Sequence, residues 1–146
     1  MQIRQATIQD CVQIAELSKQ LGYETSSSLM KDRLNKIIKD SDHTILIAND
    51  DNEVLGWIHA FFTLRVETDP FVEIGGLVVS EIHRNKGVGK LLVDAITEWA
   101  KTKPCDLIRV RSNTIRIESH VFYKQLNFIL KKEQKVYDKV LYPSQD

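Results

Sequence analysis

Residues 77–96 read LVVSEIHRNKGVGKLLVDAI. An apolar run ends at Val79. A polar segment with Arg84, Asn85 and Lys86 follows, and Gly87 and Gly89 lead into a pattern of helical spacing. Val88, Leu91, Leu92, Ala95, Ile96 and Trp99 fall at i, i+3, i+4, i+7, i+8 and i+11, which predicts an amphipathic helix. A strand that turns through glycines into a helix leaves main-chain N–H groups free at the helix head, where the helix dipole also favours negative charge. The junction is therefore a candidate anion site.

Three anion-binding patterns compete for it. A phosphate loop, G-x-x-x-x-G-K-[ST], needs a glycine five residues before Gly89 and finds Arg84; Lys90 is followed by Leu91 instead of Ser or Thr. The dinucleotide pattern G-x-G-x-x-G starts at Gly87 and Gly89 but meets Leu92 at its third position. R-x-x-G-x-G is satisfied in full by Arg84–Gly89, RNKGVG, between a strand and a helix. Glycines there let a pyrophosphate approach the main chain, and Arg84 and Lys86 add positive charge. The bland alternative is a glycine loop with solvated bases.

Outward from this junction, the chain reads as alternating elements. IRQA suggests a first strand. Thr7 and Asp10 resemble a capping box for a helix with Ile14, Leu17 and Leu21 that stops at Gly22. Ser26–Ser28 offer N-caps for a second helix with Met30, Leu34, Ile37 and Ile38. HTILIAND (43–50), the turn DDNE and VLGWIHAFFTL (54–64) predict a hairpin. FVEIGGLVV (71–79) is a further strand whose Gly75-Gly76 pair suggests a bulge or a close approach to the backbone. A strand at 107–111 and a short helix with Ile117, Val121, Phe122 and Leu126 follow. The tail FILKKEQKVYDKVL alternates enough for one or two closing strands. The order β-α-α-β-β-β-α-β-α-β predicts a mixed α/β (α+β) sheet.

With 146 residues, one domain spanning 1–146 is expected. Acidic and basic residues are equal in number, 20 each, which gives a nucleic-acid or membrane-surface role no electrostatic support. No apolar run reaches the roughly 18 residues of a membrane span, and MQIRQATIQD lacks the apolar core of a signal peptide; cytoplasm is the expected location. Cys11 and Cys105 are isolated, and His43, His59, His83 and His120 have no metal-ligand spacing, so neither a disulfide framework nor a metal is expected.

The opening IRQATIQD…LSKQLGY, the EIGGLVVSEIHRNKGVGKLL core and the late RSN…SHVFYKQLNF occur in one order. Along nearly its whole length the sequence resembles the GNAT superfamily of acetyl-CoA-dependent N-acetyltransferases. The resemblance implies a mixed, mostly antiparallel central sheet flanked by about four helices. It implies acetyl-CoA as co-substrate, with its pantetheine arm against the main chain of Leu77, Val78 and Val79. Phosphate contacts would come from Arg84, Asn85, Lys86, Gly87, Val88, Gly89 and Lys90, and further coenzyme contacts from Asn113 or Arg116. Tyr123 matches the family tyrosine that points at the coenzyme sulfur, which makes it the candidate general acid for the leaving thiolate, and Glu73, the lone carboxylate in an apolar strand, is the candidate general base. His59 and His120 are alternative bases on residue type alone. The bulge leaves the facing of Glu73 open. Family members usually read L-G-F where this chain has Leu126-Asn127-Phe128, and Asn tolerates the left-handed turn that glycine usually makes.

The expected reaction is acetyl transfer to a primary amine of a small molecule or a protein, with a homodimer possible. The alternative expectation is a module of the same fold that binds CoA or acetyl-CoA as a sensor or scaffold without turnover.

Overall fold

The computed structural model of the chain describes residues 1–142 and 144. The chain divides into two compact units, Met1–Arg111 and Ser112–Asp146.

The first unit is built on a five-stranded sheet of order β1-β2-β3-β4-β5, with β1 Gln2–Gln5, β2 His43–Asp50, β3 Glu53–Thr63, β4 Phe71–Val79 and β5 Ile108–Val110. Neighbours pair antiparallel except β4 and β5, which are parallel. Two helices, α1 Cys11–Lys19 and α2 Ser27–Ile38, cover one face. There Ile14, Leu17, Met30 and Leu34 pack with Ile45, Ile47 and Val78, and Trp57 lies against them. The third, α3 Val88–Ala100, takes the other face, because successive strand residues point to opposite sides. Gly56, next to Trp57, looks towards Val88 and Leu92 of α3. The helix buries Val88, Leu92, Val93, Ile96 and Ala100, while Leu91, expected on its apolar stripe, is exposed. Full burial of a side chain such as Leu92 or Ile96 stabilises the fold by about 1.5–3 kcal/mol.

Local signals explain the element ends. Thr7 N–H donates to Asp10 at 2.7 Å, and Asp10 also receives a two-pronged contact from Arg4 at 2.8 and 2.9 Å. Those hydrogen bonds hold the Asp10 carboxyl below its ordinary value of 3.8. They tie β1 to the short helical turn Ile8–Asp10 that leads into α1. Gly22 sits at φ +85 just beyond α1, and Ser26 caps α2 by accepting from Leu29 N–H at 3.1 Å.

In the second unit, α4 Ile117–Gln125 ends in a left-handed turn at Asn127, φ +68, closed by Phe128 N–H donating to Tyr123 C=O at 3.0 Å. The Asn in place of the usual glycine thus adopts the conformation that the turn demands. The closing strands expected in the tail are not formed: residues 128–140 enter no ladder, and 129–142 are exposed. Alternation supplies a face but not a partner. A strand gains its stability from the neighbour that takes its N–H and C=O groups, and no ladder is formed by this segment among the described residues.

Candidate functional site

The junction at the head of α3 has the form its glycines require. Asn85 (φ +62) and Gly87 (φ +84) are both left-handed, and Gly87 is the N-cap of α3. A Cβ on Gly87 would meet nothing within 4 Å, so glycine is needed there for its backbone angle rather than for space. The first helical hydrogen bond from the loop side is Leu91 N–H to Gly87 C=O, 3.1 Å. The N–H groups of Val88, Gly89 and Lys90 precede it and receive no side-chain cap from Gly87. They suit an oxyanion at the positive end of a 13-residue helix. Arg84, Asn85 and Lys86 are exposed around them, and Arg84 Nε donates to Val79 C=O at 3.4 Å. Lys90 turns back along the helix to Asp94 at 2.8 Å.

Among the described residues, the strand that feeds this loop is open along part of one edge. Its β5 ladder consists of Val72 opposite Ile108, Glu73 opposite Arg109 and Ile74 opposite Val110. Residues 76–79 keep their β3 partners, His59 to Gly56, but have no β5 partner. Main-chain groups of Leu77, Val78 and Val79 on that side can accept an extended ligand as an added strand. Val78 is buried in the core; Leu77 and Val79 are half-buried.

Between these two features lies the bulge. The β3–β4 register shifts between His59 and Ala60, leaving Gly75 as the extra residue. What approaches the glycines closely is the chain itself. A Cβ on Gly75 would stand 2.9 Å from His59 Nδ1, and one on Gly76 2.8 Å from Trp57 Cη2. The bulge also settles the facing of Glu73. Glu73 lies opposite Phe61, and Phe61 opposite His43, so the three share the face that α1 and α2 cover further along. Only 13% of the Glu73 side chain is exposed, and its Oε1 accepts from Arg111 Nε at 3.1 Å.

A histidine pair stands on the same face. His43 Nδ1 and His59 Nε2 are 2.9 Å apart, their rings stack at 5.2 Å, and Phe61 completes the cluster at 5.3 and 5.6 Å. Burial, and secondarily the charge of His43, pushes the His59 imidazole down from 6.5 to about 4. In the sequence, His59 stands only as an isolated base, and nothing there assigns a role to His43. The pair is 16 residues apart in the chain and becomes visible only through the β2–β3 register.

The remaining expected residues belong to the second unit. Asn113 uses its side chain locally, accepting from Ile115 N–H at 3.1 Å, while its carbonyl accepts from Arg116 N–H and bonds His120 Nε2. Arg116 is the N-cap of α4. Tyr123 packs edge-on against Phe122 and Phe128, at 5.1 and 5.4 Å, and burial pushes its hydroxyl up to about 12.

Residues 9–128 match the acetyltransferase (GNAT) family. The chain belongs to the GNAT family of acetyltransferases. That family draws its acyl group from acetyl-CoA. Streptothricin acetyltransferase of Escherichia coli is 26% identical over 119 residues, 82% of this GNAT chain; the match spans 66% of the relative's own length, just under two thirds. The fold is similar to that of an aminoglycoside antibiotic 6'-N-acetyltransferase from Acinetobacter haemolyticus, with a TM-score of 0.84, 21% identity and coverage of 97% of this chain and 99% of that one. A second aminoglycoside antibiotic 6'-N-acetyltransferase, from Acinetobacter baumannii, has the same TM-score at 17% identity, with 96% and 98% covered. The five-stranded, mostly antiparallel sheet with helices on both faces is thus the GNAT fold. No helix among the described residues is long and apolar enough to cross a membrane.

Proposed function

We propose that this protein transfers the acetyl group of acetyl-CoA to a primary amine of a cationic small molecule by direct attack, with residues 1–146 acting as one N-acetyltransferase domain. The observation that carries this reading is the order of features along β4. A half-buried carboxylate at Glu73, the bulge, a strand edge left open at 76–79 and the free N–H groups heading α3 follow one another in the chain.

Acetyl-CoA supplies the activated acyl group. The N–H groups of Val88, Gly89 and Lys90, with Arg84 and Lys86 nearby, hold the pyrophosphate, and Asn85 and Gly87 give the loop its turn. The main chain of Leu77–Val79 holds the pantetheine arm, and an N–H on this edge polarises the thioester carbonyl. Glu73 attracts the ammonium and takes its proton, directly or through a water. The assignment of Tyr123 to the coenzyme sulfur, and of Asn113 or Arg116 to the coenzyme, rests on the likeness of the late segment to the family. A phenol held near 12 is too weak an acid to give up its proton fully to a thiolate, so Tyr123 serves as a neutral hydrogen-bond donor to the leaving sulfur. The acceptor class is supported by the names of the relatives, which act on streptothricin and aminoglycosides.

The test is release of free thiol from acetyl-CoA in the presence of kanamycin A, spermidine, benzylamine and a lysine peptide, with mass spectrometry of the products. An acetylated small amine is expected. Tight CoA binding with no thiol release across the panel would favour a sensor, and acetylation of the peptide alone would move the acceptor class to proteins.

A further inference from the structure

Two protons must leave the acceptor nitrogen during amide formation. One comes off the ammonium before attack. The second comes off after attack, when the nitrogen is bonded to the acetyl carbon and again carries a positive charge. One proton neutralises the departing thiolate, and the other must reach solvent. Glu73 accounts for a single proton, and it is tied to Arg111.

We propose that His59 accepts the second proton at Nδ1 and that His43 relays a proton onward from the acceptor cleft to Asp40 and the solvent. This rests on the reading of the protein as an amine acetyltransferase. The position of His59 carries the argument. It lies opposite Gly76, so along β4 it falls between Glu73, where the ammonium is drawn, and Leu77–Val79, where the thioester lies. Its Nδ1 packs against Gly75, where an added Cβ would stand only 2.9 Å away, and Gly75 is itself exposed, so this edge of the ring lies at a solvent-facing point of β4. Its other nitrogen, Nε2, shares a hydrogen bond of 2.9 Å with His43 Nδ1, and His43 Nε2 lies 3.9 Å from the Asp40 carboxylate beyond α2.

The bonds balance. His59 starts protonated at Nε2 and donates to His43 Nδ1. The substrate N–H bond breaks as a bond forms to His59 Nδ1. The Nε2 proton then crosses to His43 Nδ1, and His43 releases its Nε2 proton to Asp40 or water. No electrons change hands, and the two imidazoles end in the opposite tautomers. The nitrogen after attack is more acidic than the parent ammonium, because its carbon bears oxygen and sulfur. A base weaker than an ordinary histidine, such as one pushed down to about 4, can therefore take the proton. The charged groups around the pair are Asp40, the Glu73–Arg111 pair across Phe61, Arg109 over the Phe71 ring, and the Asp42–Lys103 pair at the start of β2.

Nitrogen-15 NMR of the wild-type protein between pH 4 and 8 gives the tautomers without any substitution. His59 is expected to be neutral with the proton on Nε2 above about pH 5; a proton on Nδ1 would close the accepting edge and overturn the proposal. Thiol-release kinetics then follow on wild type, His59→Gln and His43→Gln, using the amine of the panel that the wild type turns over fastest. His59→Gln should lose about 10²-fold in kcat/KM with CoA affinity by calorimetry unchanged. Rates in H2O–D2O mixtures should bow for wild type, where more than one proton moves, and become linear in His43→Gln. Wild-type kcat/KM in His59→Gln, or a bowed plot that survives in His43→Gln, would overturn the relay. An absence of turnover by the wild type with every amine would instead overturn the function reading, and the tautomers would then still decide the pair.

Discussion

Acidification should destabilise this protein through His59 before it does so through any carboxylate. The imidazole is pushed down from 6.5 to about 4 by burial and by His43, so the folded protein holds it neutral while the unfolded chain lets it take a proton. A group with a depressed folded value contributes stability that is full above its unfolded value and is lost as pH falls through the folded one. The window is therefore pH 6.5 down to about 4. At about 1.4 kcal/mol per pH unit the ceiling is about 3 kcal/mol, and solvent reaching a half-buried ring reduces it to about 2 kcal/mol. That is a large share of the roughly 5–15 kcal/mol typical of a domain. The Asp10 carboxyl, held low by Arg4, acts in the same sense, but its contribution is full above its unfolded value of 3.8 and is lost only as pH falls below that, so the two windows separate. Urea midpoints at pH 7, 5.5 and 4 for wild type and His59→Phe test this, since phenylalanine keeps a ring against His43 and Phe61 but cannot titrate. The wild type should lose about 2 kcal/mol more than the variant across that range. Equal losses in the two proteins would refute the claim that the fold excludes a charged imidazole at position 59.

Three further outcomes are expected. Gly87→Val forces a β-branched residue to φ +84, at a cost of about 1–2 kcal/mol; calorimetry should show CoA binding weakened about tenfold or more, and unchanged affinity would remove the loop from the coenzyme site. Tyr123→Phe should lower kcat by about 10-fold, the worth of one hydrogen bond near 1.4 kcal/mol, with acetyl-CoA affinity kept; because the wild-type hydroxyl is held near 12, the wild-type rate should show no fall from this residue as pH rises through 10, and a fall there that vanishes in the variant would contradict it. Glu73→Gln should slow transfer at neutral pH and recover partly at high pH, where more amine is already free; a profile identical to wild type from pH 6 to 9 would leave Glu73 a structural partner of Arg111.

The sequence by itself determined the elements and the anion-binding loop. β2 and β4 occupy the predicted residues, α3 begins at the predicted Val88, and Gly87 stands where a left-handed residue is required. These are local matters: periodicity, capping and backbone angle act within a few residues and leave their mark in consecutive letters. The tail shows the limit of that logic. Its alternation reads as strand, yet a strand depends on a neighbour that no run of letters names, and residues 128–140 enter no ladder. The same dependence hid the centre of the site. Only the register of β3 against β4 placed Gly75 as the extra residue and fixed the face of Glu73, and only the β2–β3 register set His43 against His59. A bulge inverts side-chain alternation and a ladder joins residues far apart in the chain, so pairings across the sheet, with the proton chemistry they permit, were decided by the tertiary structure alone.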